Sequence, residues 1–243
     1  MRRITILIIL LAATTFFGFK WYMLRKTVLK SCEYSLENFD FHFKNETDSP
    51  SIVMLGNSLI RQGDWITLFG RNDIQNRGIS GDRVNCMIGR LKFIERSPAK
   101  VIVIEGGIND VLRHVPADSI GSDFKKLITR VQKLGKIPVV NLIIHLAPKA
   151  LANFKYIRDL NELNQEITVI NNQVRTWCQL QGIQVVDMND ELSRDSELLD
   201  QYSTDGIHLT AEAYQLWVAT LKTSLDTTLQ AKNKKAPEGP NYE

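Results

Sequence analysis

Cysteine is scarce in this 243-residue chain, which has three: Cys32, Cys86 and Cys178. None stands in a CxxC or another metal-ligand spacing, which excludes a zinc ribbon or a redox dithiol. An odd count admits at most one disulfide, and the three are expected to be small buried hydrophobes. The body of the chain also lacks an excess of basic charge. Six of the 30 basic residues, Arg2, Arg3, Lys20, Arg25, Lys26 and Lys30, precede the first acidic residue, Glu33. That leaves 24 basic against 27 acidic residues, a net charge of −3. A mildly acidic body argues against nucleic acid as a partner. There is no internal repeat, and no five-residue G-x-S-x-G elbow, because Ile60 stands where its second glycine would fall. What remains is an ordinary globular composition, 44% hydrophobic and 23% charged, in a chain long enough for one domain with a real core.

The longest hydrophobic run is at the start. Residues 4–19, ITILIILLAATTFFGF, are uncharged and follow two arginines. Continued through Lys20 to Leu24 the run reaches 21 residues, close to the roughly 20 that cross a bilayer. Lys20 can snorkel to the interface beside Trp21 and Tyr22. A cleaved signal peptide is the rival, but no small-x-small cleavage site follows. The expectation is a single-pass anchor over residues 1–26, a polar tether over 27–50 and an exported domain, periplasmic if the host is bacterial; secretion after cleavage is the alternative.

From Ser51 onward, strand and helix signals alternate. Apolar runs at 52–55, 101–104 and 138–144, with short segments at 74–76 and 183–186, read as five strands. Between them, helical spacing is visible at 59–69, 84–94, 120–134 and 159–180, with a last helix at 210–225 capped by Thr210. Gly63 and Asp64 weaken the first of these helices. Strands separated by single helices predict an α/β domain over residues 51–228, a five-stranded parallel sheet with helices on both faces. The polar end, residues 229–243, reads as a disordered tail.

In such sheets, sites form at the carboxyl ends of the strands, so the residues there are the candidates. Ser58 follows the first strand, Gly78 the second, and Glu105-Gly106-Gly107-Ile108-Asn109-Asp110 the third; Asp205-Gly206-Ile207-His208 precedes the last helix. A serine hydroxyl attacks well only when a base takes its proton. His208 is the candidate base, and Asp205, three residues earlier, can fix its tautomer. The oxyanion of an acyl-transfer intermediate needs donors, for which the N–H groups of Ser58 and Gly78 and the Asn109 amide are the candidates. Gly78 is expected to be small because substrate approaches the backbone there. Glu105, His145 and Asn57 are possible substrate-binding residues. His145, Asp205 and His208 could be imagined as metal ligands, but a neighbouring serine explains them better, so no metal is expected.

Gly56-Asn57-Ser58-Leu59, Gly78, Gly107-Ile108-Asn109-Asp110 and Asp205-Gly206-Ile207-His208 resemble, in order, the four sequence blocks of the SGNH (GDSL) hydrolase superfamily. NRGISGD, GIND and DGIHLT are similar to its platelet-activating-factor-acetylhydrolase-like and carbohydrate-esterase branches. The resemblance implies a three-layer flavodoxin-like fold, hydrolysis of small O-acyl esters, acetyl among them, through an acyl-enzyme on Ser58, and no cofactor. The implied partner is a small acylated glycan or lipid. A lysophospholipid or short-acyl lipid esterase, an acyltransferase and a catalytically inactive glycan-binding module are the alternatives. Asn57 is a departure, since the family usually has aspartate there.

Overall fold

The computed structural model describes Cys32 and residues 49–235, with side chains to residue 226. Every element below belongs to the compact unit formed by residues 43–243. The expected anchor of residues 1–26, and the tether apart from Cys32, Ser49 and Pro50, lie outside the described residues. Among the described residues no helix is long and apolar enough to cross a membrane.

The five expected strands form a single parallel sheet: β1 (Ile52–Gly56), β2 (Ile74–Gly78), β3 (Val101–Ile104), β4 (Ile137–Asn141) and β5 (Gln184–Val186). Their spatial order is β2-β1-β3-β4-β5. The chain therefore leaves β1 toward one edge, returns to β3 and proceeds to the other. Reversal of this kind opens a crevice at the carboxyl ends of β1 and β3, where ligands bind in open α/β sheets.

Period-two alternation divides the strands between two cores. Val53 and Leu55 of β1 and Ile102 and Ile104 of β3 point to one face. There they pack against α3 (Val84–Arg90), α5 (Ala117–Lys133) and α7 (Leu160–Leu180). Ile52, Met54, Val101 and Val103 point to the opposite face, toward α1 (Ser58–Gln62), α2 (Trp65–Phe69) and α9 (Ala211–Lys235). These are the three layers that the alternating pattern predicts. The short helices α4 (Ile108–Val111), α6 (Ala150–Asn153) and α8 (Asn189–Leu192), and a two-stranded hairpin of β6 (Ser193–Arg194) and β7 (Glu197–Leu198), complete the unit.

Three boundaries differ from expectation. Residues 59–69 form two helices, because Gly63 ends α1 in an extended conformation and the Asp64 side chain caps α2 at Thr67 N–H. The fourth strand ends at Asn141 rather than at 144. Beyond it the backbone bonds to asparagine side chains: Ile143 N–H donates to Asn171, His145 N–H to Asn189 and Leu146 N–H to Asn164. At the other end α9 runs to Lys235, past residue 229, where a disordered tail was expected; the alanine, leucine, glutamine and lysine residues there are good helix formers. Residues 236–243 lie outside the described part.

Candidate active site

Ser58 is delivered by the turn that follows β1. β1 ends at Gly56, Asn57 caps α1 by accepting the Leu59 N–H at 2.8 Å, and Ser58 is the first helical residue. A first-turn N–H has no acceptor within its own helix, so the Ser58 amide stands beside its own hydroxyl as a donor. Ser58 is 8% exposed.

His208 arrives from the far end of the chain. The segment after the 3₁₀ turn at Asp200–Tyr202 closes on itself, with Ser203 bridging to Leu209 and both Ser203 Oγ and Thr204 N–H donating to His208 O, each at 2.8 Å. Gly206 carries the bend at φ 103°, and an added Cβ would sit 2.5 Å from the Cβ of Ala150. Only glycine fits both constraints. The bend brings His208 Nε2 to 3.1 Å from Ser58 Oγ, across 150 residues of sequence. Its Nδ1 lies 2.6 Å from Asp205 Oδ2.

Asp205 is itself fixed, its Oδ1 accepting the N–H groups of Ile207 and His208 at 2.9 and 2.8 Å. Partial burial raises the pKa of this carboxyl, but hydrogen bonds from the His208 backbone and ring and the Ile207 N–H outweigh it and hold the group below its ordinary value. An ionised Asp205 on Nδ1 keeps the proton there and the lone pair of Nε2 toward the serine. The arrangement can deprotonate Ser58 as it attacks and return that proton to a leaving alcohol.

The predicted oxyanion donors are arranged differently from expectation. The Asn109 amide donates to Asp82 O at 3.0 Å, which orients it and leaves its second N–H for a ligand. Gly78 N–H donates to the Asn76 side chain at 2.9 Å. The reason given for a glycine there also changes. A Cβ at Gly78 would lie 2.6 Å from the Cα of Arg61, so it is the backbone of α1, not a substrate, that demands the missing side chain.

Residues 53–216 match the GDSL-like Lipase/Acylhydrolase family. The chain belongs to that family. It is a serine hydrolase acting on ester bonds. A Bacteroides thetaiotaomicron GDSL-like lipase shares the fold of this acylhydrolase, with a TM-score of 0.64 at 21% identity over 73% of this chain and 88% of the other. A Streptococcus pneumonia protein provisionally described as a platelet activating factor gives 0.67 at 22% identity over 86% and 99%. An acetyl xylan esterase gives 0.58 at 16% identity over 72% and 98%. In sequence, 125 residues are 28% identical to N-acylneuraminate cytidylyltransferase of Streptococcus agalactiae serotype V, covering 48% of the acylhydrolase but 28% of that protein. The chain thus spans little more than a quarter of that relative's length.

The three possible substrate-binding residues differ in their surroundings. Asn57 is wholly buried, and its Nδ2 donates to Glu105 Oε1 at 3.1 Å. Glu105, 1% exposed, lies beneath the nucleophile turn rather than in a cleft. His145 sits on the asparagine-pinned loop after β4. Its Nε2 meets Thr168 Oγ1 at 3.1 Å in a separate cleft of about 320 Å³. That cleft also contains Arg175, which is ion-paired with Asp187.

Arg90, within the expected helix of residues 84–94, was not among the candidate residues. Its side chain and that of Asp82 are both fully buried, 2.6 Å apart, and the guanidinium also donates to Arg77 O and Gly56 O. It therefore ties the ends of β1 and β2 to the segment whose carbonyl orients Asn109. Asp110, whose Oδ2 accepts Val84 N–H at 3.1 Å, anchors the start of α3 in the same region. The visible signal was an arginine amid Met87, Leu91 and Ile94. Of the cysteines, Cys178 is free and buried as expected, whereas Cys86 is buried but disulfide-bonded. Among the described residues no group of histidine, cysteine and acidic side chains could hold a metal ion.

Proposed function

We propose that this acylhydrolase removes small O-acyl groups, acetyl above all, from carbohydrate, through an acyl-enzyme on Ser58. His208 is the base and then the acid, Asp205 its orienting carboxylate, and the Ser58 N–H and Asn109 amide the principal oxyanion donors, with Gly78 joining them if Asn76 yields its N–H. The observation that carries the reading is the continuous line from Ser58 Oγ through His208 to Asp205, with spacings of 3.1 and 2.6 Å. The sugar side is supported by a fold shared with an acetyl xylan esterase and by partial identity to a protein named for N-acylneuraminate. A short-chain or lysophospholipid esterase is the second reading, supported by the apolar run of residues 4–24, which would tether the domain at a membrane. We place the domain outside the cytoplasm. The disulfide at Cys86 fits an oxidising compartment, and protease accessibility in intact cells tests the placement.

A fluorophosphonate probe should label the wild type and not Ser58→Ala; labelling of both, or of neither, refutes the mechanism. Rates on p-nitrophenyl esters should fall with acyl length, and acetate should be released from acetylated xylan or O-acetylated sialic acid. A preference for chains beyond about eight carbons, each added CH₂ gaining binding, would instead establish the lipid reading.

A further inference from the structure

Asn57 stands where the family usually has aspartate, and the structure gives that departure a partner. Glu105 is at the end of β3, one position before the glycines that lead to Asn109. Its carboxyl accepts both the side-chain and the backbone N–H of Asn57, while its Oε2 is buried with no partner among the described residues. Asn57 Oδ1 in turn caps α1 at Leu59 N–H, and Asn57 O accepts Arg61 N–H at 3.0 Å. Ser58 therefore lies between Asn57 and Leu59, whose N–H the Asn57 side-chain oxygen accepts, and Glu105 holds that side chain through its amide nitrogen.

The surroundings carry little charge. From α9, Tyr214 faces Glu105; its hydroxyl donates to Leu59 O at 2.7 Å, and burial together with the charge of Glu105 pushes its pKa up. From α3, the Arg90 guanidinium is engaged with Asp82, Arg77 O and Gly56 O. Burial raises the Glu105 carboxyl to about 8 against the opposing Asn57 hydrogen bonds, so at neutral pH it is the uncharged acid. An aspartate at 57 would set a second buried carboxyl 3.1 Å from this one, where the two cannot both ionise. An amide removes the conflict.

We propose that Glu105 and Asn57 are one positioning unit for the nucleophile, the carboxyl of Glu105 fixing the amide whose oxygen caps α1 and so setting the N–H and Oγ of Ser58. The pair makes no contact with substrate. This inference rests on Ser58 being the nucleophile, and the two can be separated: if Ser58→Ala still reacts with the probe, that reading is wrong, whatever Glu105 does.

The test uses the whole chain, with acylation of Ser58 by a fluorophosphonate followed against time and labelled sites counted at completion, so that only folded enzyme enters the rate. Glu105→Gln keeps an acceptor for Asn57 and should acylate within about threefold of wild type. Glu105→Ala should be slower by about 10²-fold, the scale of loss for a reacting group displaced by about an ångström. Asn57→Asp should react only while the carboxyl pair retains a proton, so its rate should fall as pH rises. Asn57→Asp/Glu105→Gln, in which the new amide donates to the new carboxylate, should recover the rate and lose that pH dependence. Should Glu105→Ala acylate at the wild-type rate, or Glu105→Gln be as slow as Glu105→Ala, the unit does not position the serine. Indistinguishable pH profiles for Asn57→Asp and the double variant would overturn the proposal equally.

Discussion

Arg90 and Gly206 decide more of the site than their neighbours, and for opposite reasons. Gly206 acts by having no side chain, so that a loop can turn where Ala150 occupies the space. Arg90 acts by filling space with charge: its guanidinium is fully buried against Asp82 and satisfies carbonyls of both Gly56 and Arg77. Replacing one member of a buried pair costs about 3–5 kcal/mol, because the other keeps its desolvated charge. Arg90→Met should therefore lower the free energy of urea unfolding by about that amount. It should also slow ester hydrolysis, since Asp82 O orients Asn109. A variant of unchanged stability would mean that the pair contributes nothing beyond an apolar side chain of equal length.

Among the elements, α9 shows how a helix can be required by the site without contributing to it. Trp217 and Tyr214 stack at 5.9 Å, Trp65 of α2 meets Trp217 edge-on at 5.3 Å, and the Trp217 indole N–H donates to Asn141 Oδ1 at 2.7 Å. Trp217→Phe leaves an aromatic ring in place but strands Asn141 within the core. The expected loss is about 1–3 kcal/mol, the range for an unsatisfied buried polar group, read as a lower unfolding midpoint in urea.

The strands, their parallel direction and the long amphipathic helices were legible in the sequence, because apolar runs, three-four spacing and the alternation of the two are local signals. The line from Ser58 to His208 and Asp205 was legible too, since strand ends converge in this topology. Long-range polar pairings were not legible. Asn164 and Asn171 are seven residues apart on the buried stripe of α7, where the pattern shows only a core-facing helix; the backbone of the loop after β4 is what they satisfy. That loop also decides the place of His145. Gly78 was chosen correctly as a special position but for the wrong neighbour, because no local pattern reveals that α1 folds back onto the end of β2.

For the molecule as a whole, the buried carboxyls set the dependence of stability on pH. Glu105 is raised from 4.5 to about 8 and Asp110 from 3.8 to about 7, in both cases first by burial. Hydrogen bonds oppose this at each site, from Asn57 at Glu105 and from Val84 N–H at Asp110, where the charge of Arg83 also acts against it. Well below 3.8 both carboxyls are protonated whether the chain is folded or not, and neither affects the balance. Between the unfolded and folded values the unfolded chain has released protons that the fold still holds, so stability falls as pH rises through that window. For Glu105 the window is 4.5 to about 8, and above it the loss is complete. Glu105→Gln cannot ionise in either state. Its unfolding free energy, measured in urea from pH 4 to 9, should therefore fall less than that of the wild type between pH 4.5 and 8, with the gap between them widening steadily and levelling off above 8. Parallel curves for the two proteins would show that Glu105 is ionised in the fold, and that the amide of Asn57 is matched to a carboxylate rather than to an acid.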